Sequence, residues 1–340
     1  MNGWKFFLVL AAWVALACLL FHSPAGAQSK PIELSYSIFF PAPHKMTVLA
    51  DQWAKEIAKR TGGRVKITLF PGGTLSPADK CYDGVVKGIS DIGMSVLGYT
   101  RGRFPLTEVI DLPLGYRDGL GATRLVNSYW EKFQPKEFAD VQVLYLQAHG
   151  PGILHTKKPV AKLEDLKGLR IRSTGLSSKV VSALGGVPVA MPMPETYDAL
   201  KRGMVDGSMA PMESLQGWKW GEVIKSTTES YGSAYSTAFF VVMNRDKWKA
   251  LPPDLQKMIT QVNQEWIRKT GTVWDEIDKA GRDFTLKRGN KIIPLSKEEN
   301  NRWKKAAAPI LDQYVKSMEE KGLPGKEALD FCLKFLQENP

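Results

Sequence analysis

The 340-residue chain is 44% hydrophobic, 10% aromatic and 24% charged, a composition that excludes disordered, collagen-like and disulfide-scaffold proteins. Its length exceeds the roughly 100–200 residues of a typical single domain, which favours two lobes. Lys+Arg number 46 against 35 Asp+Glu, so the net charge of +11 favours anionic partners. The basic residues are interspersed with acids in stretches such as 44–60 and 245–270, the pattern of a solvated surface rather than a nucleic-acid track.

The first signal in chain order is a leader. Lys5 supplies a positive start, Phe6 to Phe21 is an uncharged apolar run, and Ala25-Gly26-Ala27 offers small residues for cleavage. The run is shorter than a membrane span and is broken by Ser23-Pro24. Residues 1–27 are therefore expected to be a cleaved secretory signal, placing the mature chain in a Gram-negative-type periplasm. That leaves Cys81 and Cys332, which in an oxidising compartment can pair only if their Cα atoms lie within about 7 Å. Two buried thiols are the favoured reading, and neither belongs to a Cys-x-x-Cys pair.

Residues 32–40 suit a strand that ends at Pro41-Ala42-Pro43. A helix is then expected from His44, because Met46, Leu49, Ala50, Trp53, Ala54, Ile57 and Ala58 recur on one stripe before Gly62-Gly63. Val65 to Phe70 reads as a strand, Pro77 to Gly88 as a helix, and Asp91 to Val96 as a third strand. This alternation predicts a parallel or mixed sheet with helices on its faces, whose ligands gather at the carboxyl ends of the strands. Those ends are Phe39 to His44, Phe70 to Gly73 and Val96 to Arg101.

A second α/β set begins near residue 150. Strands are expected at 169–172, 187–190 and 206–210, with a helical turn at 163–166 and helices at 176–184 and 195–202. Tyr235 to Asn244 reads as a strand crossing back. Pro252 to about Lys279 reads as a helix long enough to brace both lobes, with Leu255, Met258, Ile259, Val262 and Trp266 on one stripe. Residues 296–338 add helices.

The chemistry of catalysis finds little support. There is no Gly-x-Ser-x-Gly elbow, His-Glu-x-x-His pair or phosphate loop, and His44, His149 and His155 have no metal ligand at helical spacing. Among polar features, Leu169-Arg170-Ile171-Arg172 is the most suggestive. A strand would put Arg170 and Arg172 on one face, where a guanidinium can grip a carboxylate in two places. Pairing of both with surface acids such as Glu164 or Asp165 accounts for the pattern equally well.

The chain resembles the solute-binding proteins of tripartite ATP-independent periplasmic (TRAP) transporters. The resemblance spans nearly the whole mature chain and is carried by the order and spacing of Thr61-Gly62-Gly63-Arg64-Val65, Phe70-Pro71-Gly72-Gly73-Thr74-Leu75, Val86-Lys87-Gly88-Ile89-Ser90-Asp91-Ile92, Leu112-Pro113, Leu166-Lys167-Gly168-Leu169-Arg170-Ile171-Arg172, Gly185-Gly186-Val187-Pro188-Val189, Tyr197-Asp198-Ala199-Leu200 and Gly203-Met204-Val205-Asp206-Gly207.

It implies an α/β, two-lobed periplasmic-binding-protein fold (type II-like) that closes on an organic acid. Residues 28–150 plus about 235–340 would form the first domain, with the long helix, and 151–234 the second. The resemblance also makes Arg172 the residue that grips the ligand carboxylate. Where many members carry a polar Asn before a proline, this chain has Ala210 before Pro211. Gly150-Pro151-Gly152 replaces a second polar clamp, and Met193 stands where a Phe often stacks on the ligand.

With fewer polar grips, and with Phe39, Phe40, Tyr99, Phe239, Met209 and Met212 near the strand ends, the expected ligand is a carboxylate with an apolar or aromatic body. Glu213 could bind an amino or hydroxyl group, and Tyr99 and His44 could donate to the acid. The expected partners are this small acid and the TRAP permease subunits, with no cofactor, no metal and no nucleic acid, and the receptor itself a monomer. A periplasmic enzyme acting on a carboxylate, or a sensory receptor for a membrane kinase, are the alternatives that the same pocket would allow.

Overall fold

The computed structural model describes residues 30–339, so the expected leader 1–27 lies outside the described residues. Eleven strands are described: β1 Ile32–Ile38, β2 Val65–Phe70, β3 Ile92–Val96, β4 Val141–Ala148, β5 Ile153–Thr156, β6 Arg170–Ser173, β7 Val187–Ala190, β8 Gly207–Ala210, β9 Ser226–Glu229, β10 Ala238–Asn244 and β11 Lys291–Pro294. They form two sheets, with orders β2-β1-β3-β10-β4 and β11-β9-β5-β8-β6-β7. Both are mixed. β1 runs parallel to β2 and β3 while β10 runs antiparallel to β3 and β4. In the second sheet β6 is parallel to β7 and β8, and β5 is antiparallel to β8 and β9.

The helix Lys45–Arg60 forms as its stripe predicts, burying Met46, Leu49, Ala50, Trp53, Ala54 and Ile57, and His44 caps it by accepting the Met46 N–H at its Nδ1. The expected helix from Pro77 is shorter, Cys81–Val86. The carbonyl of Ala78 accepts the Ser95 hydroxyl at 2.6 Å and Ala78 itself is buried, so the first expected turn is spent on a contact with β3 instead.

Pro253–Lys287 is one 35-residue helix, about 50 Å long at 1.5 Å per residue. It outlasts the expected end near Lys279 because Gly281 belongs to a packing contact. A Cβ there would lie 2.2 Å from the Met212 carbonyl oxygen, and one at Gly271 would lie 2.7 Å from the Leu120 Cα. The two glycines let a single rod lie against the backbone of Gly119–Phe133 near its middle and of Glu213–Gly217 toward its end. Beyond it, β11 pairs in parallel with β9, so the chain returns once more to the second sheet before the helices Lys297–Ala307, Pro309–Glu319 and Gly325–Glu338. Cys81 and Cys332 are both free and buried. No helix among the described residues is long and apolar enough to cross a membrane.

Candidate functional site

The carboxyl ends of the two sheets meet at one narrow pocket, lined by residues from both. Each strand delivers its side chain by simple alternation. In β6, Arg170 and Arg172 project from one face as expected, but they meet different surroundings. Arg170 is exposed and pairs with Asp206, Nη2 to Oδ1 at 3.1 Å. Arg172, one step deeper, is only 3% exposed. Its Nε donates to the Met191 carbonyl at 3.0 Å, its Nη2 lies 3.5 Å from the Tyr99 hydroxyl, and its Cζ sits 5.9 Å from the centroid of a Trp220 ring. No carboxylate oxygen among the described residues lies within 4.0 Å of it. The surface acids that could have claimed the pair are engaged elsewhere: Glu164 bonds Arg302, and Asp165 accepts from the Ala161 and Lys162 amides.

Tyr99 stands opposite, at the end of the single turn Leu97–Tyr99 that follows β3. Its oxygen faces the Met193 N–H at 3.0 Å as well as the arginine, so two donors converge on it and its own proton is left to donate into the cavity. Burial pushes this phenol up, and Arg172 opposes that shift. Thr174, two residues beyond Arg172, and Thr237 add hydroxyls to the lining.

The other wall is aromatic. Phe39 and Phe40 follow β1, Phe239 lies opposite Val96 in the β10–β3 pairing, and Trp274 comes from the long helix. Phe39 and Phe239 are nearly parallel, 2° apart with centroids separated by 6.4 Å, and Phe239 lies 5.4 Å from Trp274. Trp274 is held by its Nε1, which donates to Gln147 at 3.1 Å.

Of the residues expected at the site, Arg172, Met193, Ala210, Phe39, Tyr99, Glu213 and Phe239 line this cavity, and three do not. His44 stands behind the wall. Its Nδ1 is taken by the Met46 amide, so Nε2 carries the proton and donates to Glu213 at 3.0 Å, while the ring stacks on Phe40. It positions Glu213 rather than reaching a ligand. Met209 alternates away from its neighbour Ala210 and is packed in the core, and Met212 faces a separate groove beside Ile153 and Asp278.

His149, Thr174, Tyr235, Thr237 and Trp274 also line the pocket without having been expected there. Alternation could have found some of them, since Tyr235, Thr237 and Phe239 share one face, as do Arg172 and Thr174. His149 and Trp274 carry no such signal. His149 is largely buried, and burial, helped by the nearby Arg172 charge, pushes it down to about 4. The buried Asp278, which accepts the Glu213 amide at 2.8 Å, is pushed well above the usual carboxylate range by burial. Among the described residues, no group of three or more His, Cys, Asp or Glu side chains could hold a metal ion.

Two α/β halves, one long helix across both, and a pocket between the sheets with a buried cation define a two-lobed binding protein for small anions. Residues 37–317 match the profile of bacterial extracellular solute-binding protein, family 7. The chain belongs to this family, the solute receptors of TRAP transporters, which bind organic acids and are not enzymes. Among solved structures it is similar to the TRAP solute-binding protein of Rhodoferax ferrireducens in complex with copurified benzoate, at 32% identity over 90% of this chain and 98% of that one, with a TM-score of 0.84. It is also similar to the Bordetella bronchiseptica protein with bound (R)- and (S)-mandelate, at 30% identity, 91% and 100% coverage and a TM-score of 0.84. A marine metagenome protein specific for aromatic acids, in complex with metahydroxyphenylacetate, shares 28% identity over 90% and 99% of the two chains with a TM-score of 0.87.

Proposed function

We propose that this protein captures a carboxylate with an aromatic body in the periplasm and delivers it to a TRAP permease. The observation that carries this reading is Arg172, a buried guanidinium with no carboxylate partner among the described residues, facing a wall of rings across the pocket. A carboxylate entering here receives the arginine and the Tyr99 proton, while its apolar body covers Phe39 and Phe239. The lining comes from both sheets, so closure of the lobe built on one sheet against the lobe built on the other would desolvate the ion pair and strengthen it. All of it comes from one chain, so a monomer suffices. The benzoate, mandelate and metahydroxyphenylacetate held by the structural relatives support an aromatic acid as the ligand class.

A thermal-shift screen followed by calorimetry tests the proposal. Benzoate, phenylacetate and mandelate should raise the melting temperature, since ligand at 100 times its Kd adds about 2.7 kcal/mol. If only C4-dicarboxylates or sugar acids do so, the aromatic reading is wrong.

A further inference from the structure

Within that reading, which this inference rests on, the ring of His149 carries information about the ligand beyond its carboxylate. His149 ends the strand that Val141–Ala148 builds and lines the cavity. Its Nδ1 lies 2.5 Å from the Gly150 carbonyl oxygen. A carbonyl can only accept, so the proton sits on Nδ1 and Nε2 is left with a bare lone pair. The ring is boxed edge-on by Tyr235, Phe239 and Trp274, with centroids 5.6, 6.1 and 6.1 Å away, so it cannot turn to exchange its two nitrogens.

Nε2 has no hydrogen-bond partner among the described residues, yet it is not among the buried polar atoms sealed without one, so it keeps open surface. The Trp274 indole N–H is committed to Gln147. Burial and the neighbouring Arg172 charge keep the ring neutral, pushed down to about 4. The cavity therefore offers fixed donors at Arg172 and Tyr99 and, apart from them, a fixed nitrogen acceptor. A ligand matches both only if it carries a proton donor at a distance from its carboxylate.

We infer that His149 is a specificity-determining residue whose Nε2 accepts a hydrogen bond from a hydroxyl on the ligand, so the preferred ligands are hydroxylated aromatic acids. Unsubstituted acids leave this lone pair unsatisfied, and methyl ethers fill the space without supplying a proton.

The test is calorimetry on the full mature chain with benzoate, phenylacetate, the monohydroxybenzoates, the methoxybenzoates and mandelate, for wild type and His149→Phe. The expected result is that at least one hydroxylated acid binds wild type about 10-fold tighter than both its parent and its methyl ether. His149→Phe should remove that preference, bringing the hydroxylated acid to within about 2-fold of its parent in the same variant. A hydroxyl no better than its methyl ether, or a preference that survives His149→Phe, overturns the inference while leaving the aromatic-acid receptor intact. If no aromatic acid binds wild type, the receptor reading falls and this inference with it. Should His149→Phe fail to fold, nitrogen NMR of wild type decides: Nδ1 must carry the proton, and the Nε2 resonance must move on adding the hydroxylated acid but not its methyl ether. A proton found on Nε2 overturns the inference equally.

Discussion

The two walls of the cavity are built from different materials by the same strand alternation. The wall from the first sheet and the long helix presents rings, with Phe39, Phe40, Phe239 and Trp274 in mutual contact. The wall from the second sheet presents Arg172, Thr174 and Ala210, a charge with small neighbours. Each alone is a poor site: rings in the open bind acids without selectivity, and an arginine in water gains little from a carboxylate. Brought together, the rings exclude water and the cation no longer competes with solvent. Division of labour of this kind makes affinity depend on closure.

The sharpest way to break this comparison is to remove the charge. Arg172→Ala should cost about 3–5 kcal/mol of binding, because a ligand carboxylate would be buried unpaired, and calorimetry should detect no useful affinity for any acid. If benzoate still binds with undiminished affinity, the second wall is not where the carboxylate sits.

A somewhat smaller effect concerns how the second wall is held. His155 lies under it, its Nε2–H donating to the Ala210 carbonyl at 3.0 Å and its Nδ1 accepting from Thr227 at 2.9 Å, and burial pushes it from 6.5 down to about 4. Between those values the unfolded chain takes up a proton that the folded chain refuses. Its contribution to stability is therefore present above the upper value and is lost as pH falls, by about 3 kcal/mol over the window. His149 contributes with the same sign, while the raised Asp111 and Asp278 contribute with the opposite one. Urea melts at several pH values should show a shallower fall between pH 6.5 and 4 in His155→Gln than in wild type.

On the first wall, Phe239→Leu keeps the apolar volume but loses the flat face, so aromatic acids should weaken by about 1 kcal/mol while an aliphatic monocarboxylate hardly changes. Equal losses for both would mean that the ring packs the core rather than the ligand. Tyr99→Phe removes one donor near the carboxylate and should cost about 1 kcal/mol for every acid alike. Smallest of all, Arg170→Ala removes an exposed ion pair with Asp206 and should change affinity by less than about 0.5 kcal/mol. A large loss there would erase the distinction drawn between two arginines on one strand face.

Much of the fold was legible because local pattern and tertiary role agree. The stripe of Lys45–Arg60 and the strands 65–70 and 187–190 fall where periodicity predicts. The helix before β3 starts later than its pattern predicts because the Ser95 hydroxyl on that strand claims the Ala78 carbonyl. β9 and β11 gave no readable signal: Ser226–Glu229 is a run of small polar residues that forms a strand because neighbours on both sides pair with it. At the site, Phe39, Tyr99, Phe239 and Arg172 were accessible to reasoning about strand ends. His44 was misplaced because a histidine before a helix can cap it as readily as reach a ligand, and only the observed Met46 and Glu213 contacts choose between the two.

The sequence by itself determined many of the elements, that two α/β halves alternate along the chain, and that a pair of arginines shares one strand face, because periodicity and turn chemistry act over a few residues. Only the tertiary structure decided which arginine is buried without an acid, which nitrogen of His149 is left bare, and that Trp274 reaches the cavity from a helix far along the chain. Those outcomes depend on what the opposite lobe places within a few ångströms, and sequence distance does not encode that.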